Sequence, residues 1–192
     1  MAYTGQQQFL LRAAQQYSEL GYKVALCKGK EIIGNYQPDE VVAAWFGNVA
    51  KIPSKNNPTD FDGISVIPDG IVCVDIDVPD FGVIWEPLPP TFKERTPRGW
   101  HLFYKVSDLT RDRAVPKIKW REHVDLLAIR GKSTPPVKKV SAYGKKNGAP
   151  PWGGHVLISP TSGYQRIWPD DAPATNKLTD APQWLVDALE KP

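Results

Sequence analysis

The chain has 192 residues, 41% of them hydrophobic and 23% charged, the balance expected of a globular protein with one sizeable core. No apolar run reaches the roughly 18 residues of a membrane-spanning helix, and Met1-Ala2-Tyr3-Thr4-Gly5-Gln6 lacks the basic and apolar regions of a secretory leader, so a cytoplasmic location is expected. The net charge of +3 is uneven: between Arg111 and Lys146 eleven Lys or Arg stand against Asp112, Glu122 and Asp125, giving that segment +8 and leaving −5 elsewhere, which points either to a polyanionic partner or to a solvated basic loop.

In chain order, Thr4-Gly5-Gln6-Gln7 reads as a capping box. Phe9, Leu10, Ala13, Ala14, Tyr17 and Leu20 then recur at helical spacing, and Gly21 is placed to stop the helix. A short strand is expected over 22–26 and a second helix over 38–46, ending at Gly47. Two β-rich runs, Gly63-Ile64-Ser65-Val66-Ile67 and Ile71-Val72-Cys73-Val74-Asp75-Ile76-Asp77-Val78, flank Pro68-Asp69-Gly70, a hairpin signature. Thr96-Pro97-Arg98-Gly99 precedes a strand over 100–106, and another is expected over 124–129. Residues 131–154 are rich in Gly, Pro and Lys and read as a long loop. Strands over 156–159 and 164–168, joined by a Pro/Ser/Gly turn, and a helix through Trp184, Leu185 and Leu189 complete the α+β pattern. Cys27 and Cys73 lie in apolar runs and are expected to be buried and reduced. The stop at Lys191-Pro192, just after a helix, suggests one domain, 1–192, cut from a longer protein.

The sharpest chemical signal is Asp75 and Asp77. Residues two apart on a strand share a face, and the surrounding run is wholly apolar. Two carboxylates placed side by side in a core repel and are poorly solvated, so they call for a cation. Hard oxygen donors suit Mg²⁺ or Mn²⁺. The alternative is a pair of acids at the wet end of the strand, before Pro79. His101 opens the next strand, directly after Arg98 and Gly99. A histidine and an arginine beside a turn can grip phosphate oxygens, although a lone histidine is more often structural. Asp125 is again an acid inside an apolar strand, and a third carboxylate is what a pair of divalent ions needs for in-line phosphoryl transfer. Gly131-Lys132-Ser133 imitates the end of a P-loop, but Leu126 stands where the pattern needs its first glycine, so ATPase activity is not expected.

In this order the segments Val74-Asp75-Ile76-Asp77, Thr96-Pro97-Arg98-Gly99-Trp100-His101, Val124-Asp125 and Ser159-Pro160-Thr161-Ser162-Gly163-Tyr164 resemble the bifunctional primase-polymerase domains of the archaeo-eukaryotic primase superfamily, found at the N-terminus of phage and plasmid replication proteins. The resemblance spans nearly the whole chain. It departs at Gly99, where the family often has serine, over 132–154, which looks like an insertion, and between Asp77 and Thr96, which is short and Pro-rich where relatives often carry a helix.

The resemblance implies an RRM-like mixed sheet with helices plus a second β-rich lobe, with the active site in the cleft between them. It implies a DNA primase and DNA-directed polymerase that uses Mg²⁺ or Mn²⁺ at Asp75, Asp77 and Asp125. The triphosphate would meet His101, Arg98 and Ser162. The partners would be a single-stranded DNA template, NTPs and dNTPs, with a helicase domain following in the full-length protein. Lys132, Lys138, Lys139, Lys145 and Lys146, with Tyr143 and Trp152 interleaved, are expected to contact template. Two other classes stay open. One is a glycosyltransferase using Asp-x-Asp to hold Mn²⁺, which needs a βαβ region before the pair. The other is a non-catalytic DNA-binding module.

Overall fold

The computed structural model describes residues 4–32, 60–114, 117–128, 155–168 and 171–190. The helix expected over 38–46, the loop 131–154 with its five lysines, Tyr143 and Trp152, and the Gly131-Lys132-Ser133 segment all lie outside the described residues.

Helix α1, Gly5–Glu19, begins on the expected capping box: Thr4 accepts from the Gln7 amide, and the Gln7 side chain accepts from the Thr4 amide. It buries Leu10, Ala13, Ala14 and Tyr17 along one stripe. Gly21, at φ +89°, ends it. A Cβ there would stand 2.6 Å from the Thr175 hydroxyl, so glycine is required on two counts.

Ten strands follow: β1 Lys23–Lys28, β2 Glu31–Ile32, β3 Gly63–Ile67, β4 Ile71–Ile76, β5 Phe92–Arg95, β6 Trp100–Lys105, β7 Lys117–Arg121, β8 Val124–Leu127, β9 Val156–Ile158 and β10 Gln165–Trp168. Helices α2, Asp108–Arg113, and α3, Gln183–Glu190, complete the elements that matter here. The strands form a four-stranded sheet, β2-β1-β3-β9, and a six-stranded sheet, β10-β5-β6-β4-β8-β7. The architecture is α+β. Every strand pairing among the described residues is antiparallel, in place of the mixed sheet that was expected. No helix among them is long and apolar enough to cross a membrane.

The hairpin expected around Pro68-Asp69-Gly70 does not form. β3 pairs with β1 and β9, and β4 pairs with β6 and β8, so the turn carries the chain from one sheet to the other. Both strands are buried on both faces for most of their length, and a run without alternation does not reveal its partner. Asp69 holds the turn. Its carboxylate is almost fully buried and takes Lys23 at 2.6 Å together with Arg111 of α2. The strands expected around Ser159-Pro160 likewise part, with β9 in the small sheet and β10 in the large one.

Two cores result. The first lies between the sheets and under α1. It joins Leu10, Tyr17, Ile64, Ile158, Cys73, Phe92 and Phe103, among others. Each such fully buried side chain contributes about 1.5–3 kcal/mol of transfer free energy. The second covers the opposite face of the six-stranded sheet, where Val72, Val74, Ile76, Leu102, Tyr104 and Leu126 meet Leu185 and Leu189 of α3. Trp120 and Trp184 stack at 4.7 Å along its rim. Both cysteines are buried thiols, as expected.

Candidate active site

The central strand β4 places its side chains by alternation. Val72, Val74 and Ile76 face the second core, and Cys73 faces the first. Asp75 shares the Cys73 face, one step beyond the apolar patch. In register with it stand His101 on β6 and Asp125 on β8. The row continues to Glu94 on β5, Arg166 on β10 and Lys119 on β7. Polar side chains thus cross all six strands in one line, Arg166–Glu94–His101–Asp75–Asp125–Lys119.

Asp77 lies just past the end of β4, where its amide donates to the His123 carbonyl at 2.8 Å and extends the β4–β8 pairing. Asp75, Asp77 and Asp125 each offer a carboxylate oxygen, and the three atoms lie within 4.8 Å of one another. All three residues are half-buried. At an effective dielectric near 20, unit charges no farther apart than this repel by at least about 3.5 kcal/mol before screening. Nearby cations offset this. Arg98 reaches Asp77 at 2.8 Å and Lys117 reaches Asp125 at 2.7 Å. The His101 Nε2 stands 3.4 Å from Asp75, within reach of its carboxylate. Both the Arg98 and Lys117 side chains are more than half exposed, so they can leave the carboxylates at little cost. Three hard oxygen donors on a rigid sheet, with displaceable counter-ions, fit a divalent cation of the Mg²⁺ or Mn²⁺ type.

His101 is buried, and its Nδ1 finds no hydrogen-bond partner among the described residues. Its ring packs edge-on to Phe103 at 6.1 Å and lies 5.7 Å from the Tyr164 ring. Tyr164 closes the turn that follows β9. Its hydroxyl pKa is pushed up to about 12, first by burial and next by the Asp75 carboxylate. Ser162 lies exposed in the same turn.

The Thr96–Gly99 turn sets Arg98 and His101. Thr96 Oγ1 accepts from the Gly99 amide at 2.9 Å and from the Arg98 amide at 3.3 Å. The Gly99 amide is therefore spent inside the turn. Glycine is needed there because the chain crosses directly over β4: a Cβ would lie 1.8 Å from the Ile76 carbonyl oxygen and 2.7 Å from that of Val78.

Sequence reading missed Glu94, Lys117, Tyr17 and Tyr164 as neighbours of the site. A signal existed for Glu94. Once the Thr96–Gly99 turn is recognised, counting outward from it pairs Arg95 with Trp100 and Glu94 with His101. His123 takes φ 62° at the β7–β8 turn, and His155 Nε2 lies 2.9 Å from the Lys30 carbonyl. Neither joins the row. No family model, curated protein or solved structure matches this chain.

Proposed function

We propose that the chain is the primase-polymerase domain of a phage or plasmid replication protein. It would join NTPs or dNTPs on a single-stranded DNA template. The observation that carries the reading is the convergence of Asp75, Asp77 and Asp125 on two adjacent strands, with His101 in register beside them. Asp75, Asp77 and Asp125 would hold Mg²⁺ or Mn²⁺, and the chemistry such an ion would supply is a lowered pKa for the primer 3′-hydroxyl and an offset of charge on the transferred phosphate. Arg98, exposed and paired with Asp77, can turn to a triphosphate oxygen. His101 adds a second donor from the floor of the site, and Ser162 a weaker one from the turn. In this reading the six-stranded sheet supplies the RRM-like lobe, the four-stranded sheet is the second lobe, and the cleft runs between them. The lysines over 132–154 contact template, and a helicase domain follows in the full-length protein.

The glycosyltransferase alternative needs alternating strands and helices before the acid pair. The described strands β1 and β3 are instead antiparallel neighbours. The test is incorporation of labelled nucleotides on single-stranded DNA with Mg²⁺ or Mn²⁺. Incorporation is expected from the wild-type protein, with none in chelator and none from Asp77→Ala. Absence of incorporation from the wild-type protein under both metals and both nucleotide classes overturns the reading.

A further inference from the structure

Glu94 is the most deeply buried acid in the described structure, with no exposed surface, and the proposed chemistry does not use it. It stands on β5 directly opposite His101, on the same face of the sheet, so the imidazole lies between two acids on neighbouring strands, Asp75 on one side and Glu94 on the other. Same-face partners in register bring their Cβ atoms to about 4.5–5.5 Å.

The Glu94 carboxylate is held by two donors. It accepts from Tyr17 Oη of α1 at 3.2 Å and from the Ser159 amide, at the end of β9, at 3.2 and 3.3 Å. Tyr17 is fixed in turn by Arg166 Nε of β10 at 3.2 Å. An apolar residue would fill this place at lower cost, since a buried carboxylate must recover its lost hydration from such bonds. What the arrangement supplies is position. Glu94 ties β5 to the start of the turn that ends at Tyr164, and Tyr164 lies against the His101 ring. The same turn rests on Pro97, whose Cγ would be 2.9 Å from a Cβ at Gly163.

We propose that Glu94 is a positioning residue of the site: through the Ser159–Tyr164 turn on one side and its own carboxylate on the other, it fixes the orientation of the His101 imidazole towards Asp75. Its kinetic consequence rests on the nucleotidyl-transfer reading, but the geometry does not. Glu94→Gln isolates the effect. Tyr17 and Ser159 both donate to Oε1, so a glutamine carbonyl there keeps these two bonds and gives up only the longer 3.3 Å branch from the Ser159 amide to Oε2, while the carboxylate beside His101 is replaced by a neutral group.

Two measurements on the whole chain decide it. The first is a long-range proton–nitrogen NMR spectrum of the histidine rings at fixed pH. The His101 ring nitrogens should shift in Glu94→Gln while those of His123 and His155 stay in place. The second is a double-mutant cycle in nucleotide incorporation. Glu94→Gln should lower kcat/KM for nucleotide about 10–100-fold, by analogy with residues that orient the ligands of a metal site, and should cost nothing further when His101→Ala is already present. Unchanged His101 signals overturn the proposal, as does an equal loss in the presence and absence of His101. If the wild-type protein incorporates no nucleotide, the functional reading fails, and the NMR comparison still decides the role of Glu94.

Discussion

Replacing Gly99 by alanine adds one methyl group where two backbone segments cross. The new carbon would lie 1.8 Å from the Ile76 carbonyl oxygen, roughly 1.6 Å short of ordinary contact at 3.4 Å, and 2.7 Å from the Val78 carbonyl. The obstructing atoms are backbone, at the end of the central strand and just past it, so no rotamer change relieves the clash. β4 is paired on both sides, to β6 and β8, and cannot shift without breaking one ladder. Overpacking a close-packed site costs about 1–3 kcal/mol and occasionally more. A collision with fixed backbone belongs at the upper end, about 3 kcal/mol. That is a large share of a typical domain's 5–15 kcal/mol and corresponds to roughly 6–12 °C in Tm at this size. The assay is denaturant and thermal unfolding of Gly99→Ala beside Gly5→Ala. A Cβ at Gly5 meets nothing within 4 Å, so that variant should stay within about 1 kcal/mol of wild type. Asp77 lies between the two obstructing carbonyls, so Gly99→Ala should also displace the acid pair and weaken metal binding. Wild-type stability in Gly99→Ala would refute the crossing of the Thr96–Gly99 turn over β4.

Asp75→Asn should leave the metal-free protein as stable as wild type or up to about 2 kcal/mol more stable, because it relieves like-charge repulsion, and thermal melting in chelator checks this; a large loss of stability would mean that the carboxylates are structural. Burial, opposed in part by His101, raises the Glu94 pKa above its ordinary value of 4.5. The stability tied to its protonated form is therefore complete below pH 4.5 and is lost as pH rises through the folded value. The Tm of Glu94→Gln minus that of wild type should accordingly become more positive from pH 4 to pH 8, and a flat or falling difference counts against a raised pKa. Replacing Lys138, Lys139, Lys145 and Lys146 together by Gln should weaken single-stranded DNA binding and flatten its salt dependence; an unchanged affinity and slope would mark that loop as a spacer.

The parts of the fold legible in the sequence were those with a local cause. The capping box and apolar stripe gave α1, and β-rich runs beside turns gave β4, β6 and β8. Pairing was less legible, because β3 and β4 are buried on both faces and carry no alternation to choose a neighbour. β5 escaped notice because the residues at its two buried positions are Phe92 and Glu94, and a buried glutamate makes the strand read as polar. β7 did carry a period-two signal: Ile118 and Trp120 pack towards the second core, but the flanking Lys117, Lys119 and Arg121 read as a basic loop. At the site, Asp75, Asp77, Asp125 and His101 stood out as polar residues in apolar runs, and the structure brings them together. Arg98 lies beside them through Asp77. Lys117 and Tyr164 were not legible as neighbours, since only tertiary pairing brings them there.

The central claim is that three carboxylates form one divalent-cation site, and a Mn²⁺ titration followed by electron paramagnetic resonance tests it most directly. Free Mn²⁺ gives a sharp signal that is lost on binding, so the bound ions can be counted without any catalytic turnover. The wild-type protein should bind one or two ions, and Asp75→Asn, Asp77→Asn and Asp125→Asn should each abolish or weaken that binding at least about tenfold, which corresponds to about 1.4 kcal/mol. The account is contradicted if the wild-type protein binds no Mn²⁺ at millimolar concentration, or if all three variants bind it as well as the wild type does.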